Sequence, residues 1–487
     1  MSIKSLLITG WFLVIASSGA AQHRGDDLAF QGVPFSTASG VKSTALGNAY
    51  TAYSGDLNTL YHNPAGLAAI AKLQVSVSAN RSARQWRENQ VYRPNRMFWT
   101  MAYYLEGLYI PDPKNNGRWD YELAQDTSYH VTPPETGLEP FSEEAADWQK
   151  KTADTRLLNI GVAVPLKVAG MKWVASAAWS SAALFDHDRN DTYLDPHIGY
   201  DAYGMVPRVV TDTVRFSWSR FLRDRAGDLQ DISAGLALQA GARLDVGVSV
   251  NILNGTSTDL QSLNRVGYFD IAKDNRFRFS YDTLDVKTHG TSDYSATRFK
   301  VGALLKLERL HLGFSLRPAF TMTRKWSYET TNAGQLSGEE TLKHPATWSF
   351  GASLMPIDAF RFMLDYECTG FSDSRIEPAG ATAAVHHIPD ITALRCGIEF
   401  KALPYLALLA GYGYTTAVFV PDGAAIKELG PAATTIALGA GVQVPHLGRL
   451  DLAYEMHRFK YYDSYFSNTN YVSEARDNVL LGWTYGF

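Results

Sequence analysis

The feature that most constrains this 487-residue chain is a strict alternation of short and long connections between segments of period two. In 449–458 (RLDLAYEMHR), Leu450, Leu452, Tyr454 and Met456 share one face, and Asp451, Ala453, Glu455 and His457 share the other. Segments 360–368 and 309–317 alternate in the same way. Side chains alternate across a strand, so each segment reads as a strand with one apolar and one polar or small face. A soluble sandwich would show that period too, and the connections discriminate between the two. Tight turns fall near 165–170, 240–242, 308, 355–358, 402–404 and 445–448. Long polar segments fall at 186–230, 254–295, 322–345, 369–391, 415–432 and 459–477. Turns facing one side of a membrane and loops facing the other produce this alternation. Loops of that length are uncommon inside a compact soluble domain.

Six tight turns define twelve strands. One more enters from the N-terminal side, at 73–80 and continued by 96–104, and one leaves at the C-terminus. The expected fold is therefore an all-β transmembrane barrel of about fourteen antiparallel strands over 73–487, with both termini on the short-turn, periplasmic side. Segments 213–221 and 277–286 also read as strands and would change the count by two.

Composition removes the competing classes. Lys+Arg 45 against Asp+Glu 49 leaves a net charge of −4 and no positive field for nucleic acid. Two cysteines cannot staple a chain of this length. Apart from the N-terminus there is no uncharged apolar run of about 18 residues that would form a membrane helix. The mean hydropathy of −0.17 averages an apolar outer face with a polar lumen and polar loops. The 12% aromatics fit interfacial girdles.

The N-terminus reads as a signal peptide over residues 1–21. Lys4 is its positive start, 6–16 (LLITGWFLVIA) its apolar core, and Gly19 and Ala21 are small enough for cleavage after Ala21. A membrane anchor is disfavoured because the apolar stretch is too short. At the other end, NVLLGWTYGF places Val479, Leu481, Trp483, Tyr485 and Phe487 on one face. This resembles the C-terminal signal of outer-membrane barrels, which implies recognition by the barrel-assembly machinery through Trp483, Tyr485 and Phe487. A chain that ends inside a strong strand also suits closure of the sheet on the first strand, which removes both edges.

Residues 22–72 hold no strand long enough to span a bilayer and read as a small helical hatch or plug. Within TALGNAYTAYSGDLNTLYHNPAGL (44–67), the small residues Ala45, Gly47, Ala49 and Ala52 allow close packing. Asp56 suits a helix N-cap, and Pro64 stops the preceding turn at Asn63. This block resembles the FadL family of outer-membrane transporters for long-chain fatty acids and other hydrophobic compounds. In that family a Gly-rich segment with an acidic residue runs into Asn63-Pro64-Ala65-Gly66, with Gly47 and Asp56 upstream. Two departures are Asn48, where the family usually has Met, and Gly55-Asp56 in place of a paired acidic motif. The similarity continues through 345–366, 394–412 and 434–454 and is loose through 80–154. It implies a fourteen-stranded barrel plugged by a hatch, in the outer membrane of a Gram-negative-type bacterium. Capture of hydrophobic molecules or fatty acids by outer loops, an apolar lumenal pocket and lateral release into outer-membrane lipid are further implications. Exit through the wall leaves no need for a trimer, so a monomer is expected.

Strand parity places Lys300, Lys306, Arg317, Arg361, Asp365, Glu367, Arg395, Glu399, Asp451 and Glu455 on the lumen face. Mixed charges there pair with one another and with the hatch; Arg317 or Arg361 could instead hold a substrate carboxylate by a charge-assisted hydrogen bond. Gly302, Gly313, Gly351, Gly397, Gly439 and Gly482 share that face, making room for a plug or ligand or relieving sheet curvature. The aromatic-rich stretch 105–154 reads as an outer loop, for first capture or for capping. The donors Asp186, His187, Asp188, Asp191, Asp195 and His197, and the pair His386-His387, read as solvated loop. Cys368 and Cys396 fall on apolar faces of neighbouring strands, either bonded or free. No G-x-S-x-G, H-E-x-x-H or C-x-x-C occurs, so no catalytic residue, cofactor or metal is expected. The leading function is passive uptake of hydrophobic molecules. The alternative is a protein-interaction barrel of a secretion machinery, type IX-like; an outer-membrane lipase lacks a nucleophile arrangement.

Overall fold

The computed structural model describes residues 30–34, 40–92, 138–146, 148–198, 213–272, 277–331, 333–370, 375–377, 390–416, 432–465 and 468–487. The signal peptide, most of the 105–154 stretch and His386-His387 lie outside the described residues. The strands are β1 (Gln74–Tyr92), β2 (Trp148–Val168), β3 (Met171–Ile198), β4 (Thr213–Gln239), β5 (Leu244–Ala272), β6 (Phe277–Lys306), β7 (Leu310–Arg317), β8 (Phe320–Thr330) and β9 (Gly334–His344). They continue as β10 (Thr347–Ile357), β11 (Phe360–Thr369), β12 (Arg375–Glu377), β13 (Ile391–Leu403), β14 (Leu406–Thr415), β15 (Ala433–Val444), β16 (Gly448–Tyr465) and β17 (Asn468–Gly486).

These strands form one closed antiparallel ring. β1 pairs with β2 on one side and with β17 on the other, from Gln74↔Gly486 to Tyr92↔Asn468. β6 pairs with both β7 and β8, β9 and β10 follow them as a second split strand, and β12 continues β11 against β9. Counting each split strand once leaves fourteen wall positions, the expected number. All six expected tight turns are found, at the β2–β3, β4–β5, β6–β7, β10–β11, β13–β14 and β15–β16 connections. The outward residues Leu236, Val248, Leu312, Phe350, Leu438 and Leu481 are 40–58% exposed and belong to a belt of bare apolar side chains around the ring. Such a belt would be a large patch in water and is the expected outer face of a membrane barrel.

Three expectations need correction. The long polar segments at 186–230, 254–295, 322–345 and 459–477 are largely strand: β3, β4, β5 and β6 run 28, 27, 29 and 30 residues, and β16 and β17 18 and 19, against 10 for β14. Polar residues such as Asn254, Thr256 and Thr258 continue the outward face there, because a strand standing above the bilayer meets water on that face. Second, 213–221 and 277–286 belong to β4 and β6 and add no strands. Third, β1 runs from Gln74 to Tyr92, and Trp148–Asp154 is β2 rather than loop; the 96–104 segment lies outside the described residues.

One side of the ring inverts its parity. In β7 the buried residues are odd-numbered, Gly313 and Ser315, whereas in β8 they are Met322 and Arg324. β9 buries Leu342 and His344, and β10 buries Thr347 and Ser349. Pro318-Ala319 and Pro345-Ala346 occupy the two breaks. Proline cannot donate to a ladder, and an extra residue in a strand exchanges its faces.

Candidate functional site: the lumen and its hatch

The described hatch comprises α1 (Val41–Ala45), α2 (Thr59–His62) and a 3₁₀ turn (Pro64–Ala69). Each element of the motif has a local reason. α1 ends because Gly47 and Asn48 both take positive φ, 64° and 62°; glycine and asparagine are the residues that tolerate this. A Cβ on Gly47 would also lie 2.7 Å from the Tyr412 nitrogen in the wall. The Asp56 carboxylate accepts from the Asn58 N–H at 2.7 Å, fixing the approach to α2. Asn58, not Asp56, stands at the N-cap position, and its side chain makes no capping bond. Asn63 accepts from the Ala65 N–H at 3.1 Å and donates to the Thr51 and Ala303 carbonyls at 2.7 and 3.0 Å. It therefore ties the 3₁₀ turn both to the rest of the hatch and to β6. Pro64 supplies the fixed φ of the first helical position. A Cβ on Gly66 would lie 2.5 Å from the Tyr53 carbonyl. Ala65 is fully buried, its nitrogen 2.5 Å from where a Cβ on Gly247 would sit.

The hatch touches wall strands around the whole ring, so it lies inside the lumen. The six lumen glycines face it: a side chain at Gly302 would meet Asn63, at Gly313 and Gly351 Thr51, at Gly397 Leu46, at Gly439 Ala45 and at Gly482 Val41. Room for a plug is thus their role at these positions.

The two sides of the hatch meet different walls. Toward β2–β4, Leu57, Leu60, Leu67, Ala68 and Ile70 pack on Ala163, Val174, Ala178 and Ala237. Toward β10–β17, Val41, Ala45, Leu46 and Ala49 pack on Met363, Leu409, Ala453 and Leu480, and charge is added. Lys42 pairs with Glu399 at 2.7 Å, both side chains 5% exposed, and also donates to the Tyr53 hydroxyl. Asp365 accepts from the Tyr50 and Thr51 N–H groups, each at 2.7 Å. Sequence parity found Asp365 and Glu399 but missed Lys42, which lies in a hatch helix where strand parity does not apply.

Above the hatch, the inner face of the tall strands carries an apolar cluster beside a buried charged network, in which Arg225 pairs with Asp259 at 2.8 Å and Arg324 with Glu340 at 2.6 Å. Leu184, Leu229, Leu253, Tyr294, Ala296, Met322 and Leu342 form one buried cluster with Phe30 and Val33 of the N-terminal segment. The β2–β3 ladder stops at Asn159↔Ser180. Beyond it the Phe185 N–H donates to Gly32 at 3.2 Å instead of to β2. Lys150 and Arg156 of β2 reach past β3 to Asp224 and Asp228 of β4, at 2.6 and 2.7 Å.

Arg317 lies at the proline break, 5.6 Å from the Phe320 ring that packs against the apolar cluster. Its Nη2 donates to Thr347 at 2.6 Å. Arg298, Lys300 and Arg395 stand around it with Asp231 and Glu367; Arg298 pairs with Asp231 at 2.7 Å and Arg395 with Glu367 at 2.9 Å. Arg361 lies instead at the hatch, 4.6 Å from the Tyr53 ring and 3.9 Å from Glu399. The two arginines are not one site. Lys306 pairs with Asp245, Asp451 with Arg449, and Glu455 accepts from Asn478.

The acidic stretch at 186–197 is strand rather than loop: Asp186 and Asp188 pair with Arg223, and His187 lies 3.5 Å from Asp224. Among the described residues no group of three or more His, Cys, Asp or Glu is placed to hold a metal ion. Both cysteines are free, because the register pairs Cys368 with Thr392 and Cys396 with Leu364. At the C-terminus, Trp483 donates to the Leu447 carbonyl at 2.7 Å and the Phe487 N–H to Leu73 at 2.9 Å, sealing the last strand to the first.

No protein-family model and no curated protein matches the chain. Solved structures do. A FadL homologue of Pseudomonas aeruginosa superposes with a TM-score of 0.60 at 12% identity, covering 92% of this chain and 98% of that one. The Pseudomonas putida toluene transporter TodX gives 0.53 at 12%, over 92% and 98%. The Ralstonia pickettii toluene transporter TbuX gives 0.50 at 12%, over 94% and 100%. At such identity the likeness shows the fold: a closed, FadL-like β-barrel.

Proposed function

We propose that this barrel takes up hydrophobic compounds passively across the outer membrane. The observation that carries the reading is the buried apolar cluster of Leu184, Leu229, Leu253, Met322 and Leu342 on the inner face of the wall. It lies in a barrel whose fold is shared with hydrocarbon transporters. A lumen built only to pass polar solutes gains nothing from such a surface, whereas apolar solutes partition onto it.

The substrate class is proposed to be an amphiphile with an apolar body and an anionic head, such as a long-chain fatty acid. Support comes from four cations, Arg298, Lys300, Arg317 and Arg395, against two acids, Asp231 and Glu367, beside the Phe320 end of the cluster. Arg317 is the proposed carboxylate partner. Arg361 would have to exchange its contact with Tyr53 to serve a substrate, and is proposed as a hatch contact. Lateral release fits the end of the β2–β3 ladder, where side chains rather than backbone hydrogen bonds bridge the wall. Trp483, Tyr485 and Phe487 are proposed to be read by the barrel-assembly machinery, and the barrel to act as a monomer.

The test is uptake of a radiolabelled long-chain fatty acid and of toluene by cells with and without the gene. Both should enter faster with it, and Arg317→Met should slow the fatty acid about tenfold, the loss of one charge-assisted hydrogen bond, while sparing toluene. Equal uptake with and without the gene, together with loss of a secreted protein on deletion, would overturn transport in favour of a secretion component.

A further inference from the structure

We propose that the lumen holds a second oxyanion site, made by Arg84 of β1 and Arg476 of β17, for the head of an anionic amphiphile. It rests on the proposed uptake of such amphiphiles and adds a second station for the head group. Register sets Arg84 directly opposite Arg476, and His457 of β16 opposite Arg476 on its other side. All three share the inward parity of their strands, with Ser78 and Trp86 on β1, Asn478 and Leu480 on β17, and Glu455 and Phe459 on β16. Like charges directly opposite one another in a ladder are destabilising, so two facing arginines call for an anion between them. Glu474 meets only part of that need, pairing with Arg84 at 3.3 Å. The neighbouring cations have acids of their own: Arg223 pairs with Asp186 at 2.6 Å, Arg458 with Asp477 at 2.7 Å and Arg156 with Asp228 at 2.7 Å. Among the described residues no carboxylate lies within ion-pair distance of Arg476, and its Nε is buried without a hydrogen-bond partner. Guanidinium groups so placed fit a carboxylate or phosphate head by charge-assisted hydrogen bonds.

The ladder also joins this site to the first one. Arg395, which stands beside Arg317, pairs across the sheet with Gly413, Gly413 with Thr435, Thr435 with His457, and His457 with Arg476. Five strand spacings, about 24 Å along the wall, separate Arg395 from Arg84. Between the two basic ends the row is low. Thr435 is small, and a Cβ on Gly413 would meet nothing closer than 3.6 Å, whereas Gly411 lies directly against Gly47 of the hatch. At the far end the Arg84 guanidinium lies 4.0 Å from the Phe185 ring, on the part of β3 beyond the end of the β2–β3 ladder. A head group held by Arg84 and Arg476 is therefore at the proposed lateral exit, where its apolar tail can pass into the bilayer.

The experiment follows palmitate labelled with carbon-13 at its carboxyl by NMR, bound to the purified barrel in a maltoside detergent. Two bound carboxyl resonances are expected. Arg476→Gln should weaken one site about tenfold or more and spare the other, which Arg317→Met removes instead. Glu474→Gln should tighten the Arg476-dependent site severalfold, because it takes away the acid that competes for Arg84; a purely structural role for this row gives no such gain. Phosphatidylglycerol is then added. Displacement of the Arg476-dependent resonance assigns the site to membrane-lipid heads, and persistence assigns it to the transported carboxylate. A single resonance that depends on Arg317, or a second one indifferent to both Arg476→Gln and Glu474→Gln, would overturn the second site and leave the uptake reading standing. A resonance lost with Arg476 and none lost with Arg317 would instead keep the second site and remove the role proposed for Arg317. No bound palmitate at all would overturn both. If Arg476→Gln fails to form a heat-modifiable barrel, Glu474→Gln decides alone.

Discussion

The two half-walls of this lumen are made of the same kind of strand and do different work. From β2 through β9 the inward residues combine an apolar set, Leu184, Leu229, Leu253 and Leu342 above the hatch and Ala163, Val174 and Ala237 beside it, with buried ion pairs, Arg225–Asp259, Arg298–Asp231 and Arg324–Glu340. From β10 through β17 and into β1 they include Ser349, Asp365, Glu399, Asp451, Asn478 and Ser76, with Met363, Leu409 and Leu480 among them and glycine where the hatch comes closest. One arc thus joins a large apolar cluster to buried ion pairs, and the other is lined by glycine and polar groups where it meets the hatch. Strand geometry sets only which residues point inward, and the residue types on each arc set the chemistry. The hatch turns Leu57, Leu60 and Leu67 to the first arc, where Lys300 also donates to its Tyr61 carbonyl, and Lys42, Leu46, Tyr50 and Thr51 to the second.

The comparison can be broken from either side. The largest effect is expected on the apolar arc. Leu67→Ala removes a fully buried side chain and should loosen the hatch by about 2–5 kcal/mol. Native-state hydrogen exchange of the hatch amides would show it, and a loss below about 1 kcal/mol would mean that this face is not the anchor. On the other arc, Gly411→Val places side-chain atoms onto Leu46 and Gly47. Overpacking of this kind costs about 1–3 kcal/mol, and the hatch should fail to seat while the barrel still forms, read as heat-modifiability with exposed hatch amides. Retained protection would show that the wall yields instead. Where the two arcs meet, Asn63→Ala loses the 3₁₀ cap and the bond to Ala303; about 1–2 kcal/mol of hatch protection should go. Outside the lumen, Glu143 pairs with Arg87 and Lys151 in the open, and Glu143→Gln should leave urea unfolding unchanged.

Much of this was legible in the residues. The turn at 445–448 and the closing strand ending in Phe487 are local signals, and so is the 3₁₀ turn started by Pro64. Their chemistry does not depend on what lies across the barrel. The height of the wall was not legible. Polar residues at Asn254, Thr256 and Thr258 read as loop because polarity is the loop signature, yet they alternate with Leu253, Ser257 and Asp259 as one strand in water. Pro318 and Pro345 were visible signals of the break that inverts β7–β8 and β9–β10; proline inside a strand pattern marks an interruption. The inversion itself is what brings Met322 and Leu342 into the apolar cluster.

By itself the sequence determined that this chain is a closed barrel of fourteen wall strands with a helical segment at its N-terminal end, because alternation, turn residues and proline act within a few residues of chain. Only the tertiary structure decided what that segment touches. Tyr50 meets Asp365 across 315 positions of sequence, and the glycine at 411 matters only because Gly47 comes to rest on it. Such partners are set by the curvature and register of the whole ring, which no local stretch of sequence contains.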